Sequence, residues 1–422
     1  MDKILVKGGE ILRGPVRISG AKNAALPTMA ASLLTEDQII LRNLPQVRDI
    51  ETTGKLLQEM GCETELDQIS KNHMCILRAK DPITCEAPYE LVKTMRASVL
   101  VLGPLLARLG QAYVSLPGGC AIGARPINLH IEGLKKLGAT INIEHGYVKA
   151  RADQLIGSKV VFDQITVTGT ENLMMAASLA KGETILLNAA CEPEVTDLAN
   201  LLRSMGALIE GDGTNTIRIN GVSNLNGADH TIIPDRIEAG TFMIAGAITG
   251  GEIELIGCQP YHLSTVINTL KKAGVIVEET ERNSCIVRAP HEIQACNIIT
   301  KEYPGFATDM QAQFMGLMTQ AHGTSIITET VFESRFLHAS EMIRMGANIK
   351  IEGNQATIFG KTNLTGANVI ASDLRASASL VLAGLVATGE TIIDRVYHLD
   401  RGYERIEQKL KNLGAKIVRI SK

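Results

Sequence analysis

The chain has no tryptophan, and phenylalanine and tyrosine number only seven each among its 422 residues. Aromatic packing cannot fill a large core here, so small aliphatic side chains must do it. Charge of one sign is lacking too. Forty-two Lys and Arg stand against 45 Asp and Glu, for a net −3 at pH 7. That excludes a general electrostatic affinity for nucleic acid, and any anion binding must come from local arginines. Long apolar runs are missing. The longest uncharged apolar run, 376–389, has 14 residues, whereas a spanning helix needs about 20. No membrane insertion is expected. The opening MDKILVKGG holds no long apolar segment, so no secretory signal is expected either. The eight cysteines are scattered without a C-x-x-C. This argues against a zinc site and a disulfide framework, and fits a reducing cytoplasm.

What is present is a globular composition, 45% hydrophobic and 21% charged, at a length that suits two domains. The chain also repeats itself. An amphipathic helix, then glycine, then a β-branched run occurs six times, at Gly61, Gly138, Gly206, Gly274, Gly346 and Gly414. The intervals are 77, 68, 68, 72 and 68 residues, too even for chance. Leu198, Leu201, Leu202 and Met205 show the helical spacing, as do Leu263, Val266, Ile267 and Leu270. Each glycine suits the left-handed position that ends a helix.

A second, almost uncharged helix is expected in each repeat, near 24–34, 97–107, 172–181, 239–249, 310–321 and 376–388. These segments are rich in Ala, Ser, Gly and Met. A helix apolar all round is buried on all sides. Short β-rich runs follow most of them. Six units over two domains give three each, with the polar stretch 221–230 as the boundary. The pattern predicts an α/β fold with helices inside and sheets outside.

Charged residues stand where these helices begin: Lys22, Arg96, Glu171, Arg236, Asp309 and Arg375. Helix N-termini already carry positive partial charge, so four cations there conflict with the dipole. Two readings fit. Either they are solvated ends and structural ion pairs, or they gather around an anionic ligand such as phosphate or carboxylate. Taken together, the pattern favours the anion. Asp309 has the opposite sign. It is either an N-cap helped by Thr308 or an ionised base in cationic surroundings. His130 and His398 are expected to be structural. Asp400-Arg401 is either a surface pair or a device that aims Arg401 at a ligand.

The loop Leu116-Pro-Gly-Gly-Cys-Ala-Ile-Gly-Ala-Arg125 places Cys120 between glycines, five residues before Arg125. A thiol near a guanidinium can be reactive; most free cysteines are buried and inert. The six charged helix starts tip the balance toward reactivity.

At these residues the chain resembles the UDP-N-acetylglucosamine enolpyruvyl transferases, end to end. The motifs are Gly20-Ala-Lys-Asn23, Pro117 to Pro126, Pro234-Asp-Arg-Ile-Glu238, Thr308-Asp-Met-Gln-Ala-Gln313, Asp373-Leu-Arg-Ala-Ser-Ala378 and Asp400-Arg-Gly-Tyr-Glu-Arg405. The resemblance implies a pair of inside-out α/β barrels of three repeats each. One domain spans 22–233, and the other joins 1–21 to 234–422.

The implied reaction moves enolpyruvyl from phosphoenolpyruvate to the 3′-hydroxyl of UDP-N-acetylglucosamine and releases phosphate, without a metal or other cofactor. It opens peptidoglycan synthesis. By the same resemblance Lys22, Arg125 and Arg401 hold phosphoenolpyruvate, and bidentate arginine geometry suits its two anionic groups. Cys120 is the acid for C3 and the attachment point of fosfomycin, and Asp309 is the base for the sugar hydroxyl. Asn23 lies near both substrates. Arg96, Arg125, Pro126, Ile127, Asn128, Leu129 and Val331 match nucleotide-sugar contacts, and Arg375 belongs to the binding set. Asn128 stands where many relatives have Asp, and Thr168 where many have Gly. Both keep hydrogen-bonding capacity. The rival readings are the sister enzyme acting on shikimate 3-phosphate and a non-catalytic paralogue on the same scaffold.

Overall fold

The computed structural model describes residues 2–80, 83–93, 95–116, 127–280 and 283–421. Cys120, Arg125 and Pro126 lie outside the described residues. The chain divides into two compact units. One gathers the described residues of 20–116 and 127–233, the other those of 2–19 and 234–421.

Each unit contains three four-stranded sheets, and all six have one pattern. An edge strand runs parallel to its neighbour, and the next two pairings are antiparallel. Lys159–Val161, for example, is parallel to Glu183–Leu187, which pairs antiparallel with Thr216–Asn220, which pairs in turn with Leu208–Glu210. The strands alternate buried and exposed positions, as a sheet with one solvated face requires. In Lys3–Lys7, Ile4 and Val6 are fully buried while Lys7 is exposed.

Both units are closed by strands from far along the chain. Lys3–Lys7 lies between Glu390–Asp394 and Lys416–Ile420. Arg13–Arg17 is the parallel edge of Glu252–Ile256. Ala228–Thr231 is the parallel edge of Gln38–Arg42. The polar stretch 221–230 is therefore no linker; it ends inside a strand. Its sequence hid this because an edge strand needs few apolar residues, and none of Ala228–Thr231 is fully buried.

The nearly uncharged helices form the cores. In one unit these are Lys22–Ala31, the tight-turned segment Arg96–Val101 running into Leu102–Leu109, and Val167–Ala177. In the other they are Arg236–Ile248, Gln311–Met318 and Leu374–Val386. Helix Leu374–Val386 buries every residue from Arg375 to Leu385. Within each unit the three helices touch one another. The amphipathic helices, such as Pro193–Ser204 with Leu198, Leu201 and Leu202 buried, pack outside them. The six glycines after the amphipathic helices all adopt left-handed φ, between +91° and +106°, which is why glycine ends each one.

Small residues let the core helices approach closely. At Gly103 an added Cβ would lie 2.2 Å from Asn172 Oδ1 and 2.4 Å from its carbonyl oxygen. The Gly103 N–H donates to that Oδ1 at 2.6 Å. Gly103→Ala must push two buried helices apart and is expected to cost about 3 kcal/mol. Urea unfolding at pH 7 measures it.

Candidate active site

In the unit holding residues 234–421, the site is built around Asp309. It sits in the helical turn Thr308–Met310 that leads into Gln311–Met318. Arg335 Nη2 donates to its Oδ1 at 2.7 Å. Arg375 donates to its Oδ2 from Nε at 3.0 Å and from Nη2 at 2.7 Å. Both arginine side chains are only 5% exposed. Burial alone would raise the Asp309 pKa, but Arg375 and Arg335 outweigh it and hold the carboxyl well below its ordinary range. The carboxylate takes no backbone N–H, so Asp309 is not the N-cap of its helix.

Arg375 is the second residue of Leu374–Val386. Asp373 caps that helix by accepting the N–H groups of Arg375 and Ala376 at 2.9 and 3.0 Å. The cation at this helix start is tolerated because Asp309 neutralises it and the Tyr403 ring lies 5.5 Å away. Gln313 Nε2 donates to the Asp309 carbonyl at 2.9 Å and to Tyr403 Oη at 3.1 Å. One amide thereby ties the acid's backbone to the ring under Arg375.

Arg236 opens its helix as expected, with its guanidinium 5.5 Å from the Tyr303 ring. Arg401 ends the turn Val396–Arg401. Asp400 is not its partner: Arg419 takes both Asp400 oxygens, at 2.5 and 3.0 Å. The surface-pair reading of Asp400-Arg401 therefore fails. His398 is pushed to a lower pKa by burial and then by Arg401, so it stays neutral beside that cation. Val331, two residues beyond Glu329, donates its N–H to that carboxylate at 2.8 Å.

The other unit positions a second group. Lys22 is the first residue of its helix, and its Nζ lies 3.2 Å from Asp49 Oδ2, with both side chains largely buried. Asn23 follows it. Arg96 opens the segment Arg96–Val101, which packs against Lys22–Ala31 and Val167–Ala177. Ile127 is buried, and Asn128 opens helix Asn128–Lys136 with its side chain exposed, followed by Leu129.

His130 is structural, as expected. Its Nε2 lies 3.2 Å from Thr168 Oγ1, and its Nδ1 lies 3.0 Å from the Asn172 amide nitrogen. Burial, then Arg96, lowers its pKa to about 4. It is neutral at pH 7, with Nδ1 accepting from Asn172 and Nε2–H donating to Thr168. The Thr168 hydroxyl is thus oriented by a buried imidazole.

Glu171 does not open a helix. Thr166 caps Val167–Ala177 through Gly169 N at 3.1 Å, which places Glu171 a turn inside, 1% exposed. Burial, then Glu194 and Glu192, raises its pKa well above the carboxylate range, so it is a core residue rather than a charged helix start. Among the described residues, no three His, Cys, Asp or Glu side chains group as a metal site.

Sequence reasoning missed Arg335, Glu329, Asn172 and Asp49. Each acts through a partner 21 or more residues away, or through a loop backbone, and no local pattern marks it.

The Asp309 cluster predicts a pH-dependent stability. Its folded pKa is depressed, so the stabilisation is fully present above the ordinary carboxylate value of about 4 and is lost as pH falls through the folded value. Arg335→Gln leaves the partly buried carboxylate with one cation. It should lower stability by about 3 kcal/mol at pH 7, and the gap from wild type should narrow below about pH 4. Urea unfolding across pH measures both.

Comparison with known proteins fits this geometry. The profile of the family described as EPSP synthase (3-phosphoshikimate 1-carboxyvinyltransferase) matches residues 6–410. The UDP-N-acetylglucosamine 1-carboxyvinyltransferase of Koribacter versatilis is 61% identical over 420 residues, covering all of this chain and 97% of the relative. The protein of the same name from Solibacter usitatus is 59% identical over the full length of both. Among solved structures, the enolpyruvyl transferase NikO from Streptomyces tendae superposes with a TM-score of 0.89 at 24% identity, covering 100% of this chain and 99% of NikO. EPSP synthase from Acinetobacter baumannii superposes at 0.79 and 19% identity over the full length of both. These two likenesses speak to the fold, a mixed α/β architecture of many sheets. The chain belongs to the enolpyruvyl transferase family, and its full-length relatives there are UDP-N-acetylglucosamine 1-carboxyvinyltransferases.

Proposed function

We propose that this chain transfers the enolpyruvyl group of phosphoenolpyruvate to the 3′-hydroxyl of UDP-N-acetylglucosamine and releases phosphate. The observation that carries this is full-length identity of 56–61% to five proteins of that named activity. The cationic helix starts supply the matching chemistry. In this reading the fold is a pair of inside-out barrels with three repeats in each unit. The reaction is the first committed step of peptidoglycan synthesis, and so bears on cell shape and division. The cytoplasm is the proposed compartment, where seven described cysteines remain free thiols.

Phosphoenolpyruvate carries a carboxylate and a phosphate, and Lys22, Arg125 and Arg401 neutralise them. Cys120 protonates C3 while the sugar oxygen attacks C2, giving a tetrahedral adduct that then loses a proton from C3 and phosphate from C2 to restore the C2–C3 double bond. Asn23 orients both substrates. Arg96, Arg125, Pro126, Ile127, Asn128, Leu129 and Val331 hold the nucleotide sugar, and Arg375 braces Asp309. Asp309 is the acceptor for the 3′-hydroxyl. With its pKa held so low, it is a weak base. It takes the proton only as the C–O bond forms, and before that it aims the hydroxyl by accepting its hydrogen bond.

The deciding experiment is phosphate release from phosphoenolpyruvate with UDP-N-acetylglucosamine or shikimate 3-phosphate as acceptor. Turnover with the first and none with the second is expected. Turnover with shikimate 3-phosphate alone assigns the sister activity, and no turnover with either assigns a non-catalytic role. Cys120→Ser should lower release by about 100-fold or more and abolish covalent labelling by fosfomycin, read by intact mass. Unchanged turnover would remove Cys120 as the acid.

A further inference from the structure

Glu329 follows strand Gly323–Thr328 and is 3% exposed. A carboxylate buried that deeply is costly unless donors surround it. Here four do. Thr300 Oγ1 donates to Oε1 at 2.7 Å, and the Val331 and Phe332 N–H groups donate to the same oxygen at 2.8 and 3.2 Å. Thr308 Oγ1 donates to Oε2 at 2.8 Å. The Thr308 hydroxyl, with its proton committed to Glu329, turns a lone pair outward. Arg335 Nη1 donates to that lone pair at 2.9 Å, and Arg335 Nη2 reaches Asp309 Oδ1 at 2.7 Å. A guanidinium is rigid and planar, so fixing one nitrogen fixes the other. The Arg335 guanidinium also lies 5.3 Å from the Phe332 ring, closing the circuit on the residue whose N–H Glu329 holds.

We propose that Glu329 is a positioning residue for the transfer reaction. Through Oε1 it sets the backbone around Val331 that meets the nucleotide sugar. Through Oε2, Thr308 and Arg335 it sets the direction of the Asp309 carboxylate. This rests on the activity proposed above. The two oxygens make the two jobs separable. Only a carboxylate accepts on both sides; glutamine has one accepting oxygen and one donating nitrogen. Three donors crowd Oε1, so the oxygen of a glutamine would face them and its amide would face Thr308. Glu329→Gln is therefore a change confined to the Thr308 side, where it replaces the acceptor with a donor and turns the hydroxyl round. Glu329→Ala cuts both.

The test is steady-state phosphate release with UDP-N-acetylglucosamine by wild type, E329Q, E329A, T308V and the double variant E329Q/T308V. E329Q should hold KM for the nucleotide sugar within about twofold and lower kcat about tenfold. T308V should give the same fall, and the double variant should fall no further, because both cut one connection. E329A should also raise KM about tenfold. If E329A does not fold, E329Q, T308V and their double variant decide the matter. A purely structural role would move the singles independently and multiply them in the double. Such multiplication, or an E329Q kcat within twofold of wild type, overturns the proposal. A wild type that turns over while E329Q matches it leaves the activity standing and removes only the role of Glu329. A wild type that releases no phosphate overturns the activity, and this role with it.

Discussion

A helix with little charge can be enclosed by protein on every side, and the two cores consist of such helices. Ala, Ser, Gly and Met let them touch, and Gly103 shows how little room remains. Enclosure has an electrostatic corollary. A helix with no charge along its length carries its polarity at its ends, and there the chain places Lys22, Arg96, Arg236 and Arg375. Cations at helix N-termini are locally unfavourable. They persist through counter-charges such as the buried Asp49 and the partly buried Asp309, or over aromatic rings such as Tyr303 and Tyr403.

The Asp309 cluster shows how these compensations shape chemistry. A carboxylate gripped by two buried arginines is reliably ionised and fixed in direction, yet poor at keeping a proton. That combination suits a group that aims a hydroxyl better than one that strips it. The same logic runs the other way at Glu171, where burial and the neighbouring acids Glu194 and Glu192 push the carboxyl pKa up. Two acids near core helices thus have their pKa values moved in opposite directions, one by burial and acidic neighbours and the other by two arginines.

Much of this was legible in the sequence. The six glycines, the amphipathic periods and the charge-poor segments marked nearly every helix, because each signal is local. Lys22, Arg96, Asp309 and Arg375 stood out because a charge at the edge of an uncharged run is also local. Glu171 was misplaced by one turn because the capping Thr166 lies among ordinary residues. Arg335 and Glu329 left no trace. Their roles arise when Thr308, Val331 and Arg335 come together in space, and nothing in the neighbourhood of Glu329 in sequence announces it. The strand Ala228–Thr231 was hidden because an edge strand needs little hydrophobicity.

The strand Lys3–Lys7, seated between partners from residues 390–394 and 416–420, bears on how the molecule is made. A chain leaves the ribosome from its N-terminus, and domains generally fold as units during synthesis. The unit of residues 20–233 has all its strands once residue 231 has emerged. The first strand translated must wait for the last one before its sheet can close. During that interval Ile4 and Val6, fully buried in the finished protein, lack the strand partners on either side that complete their sheet.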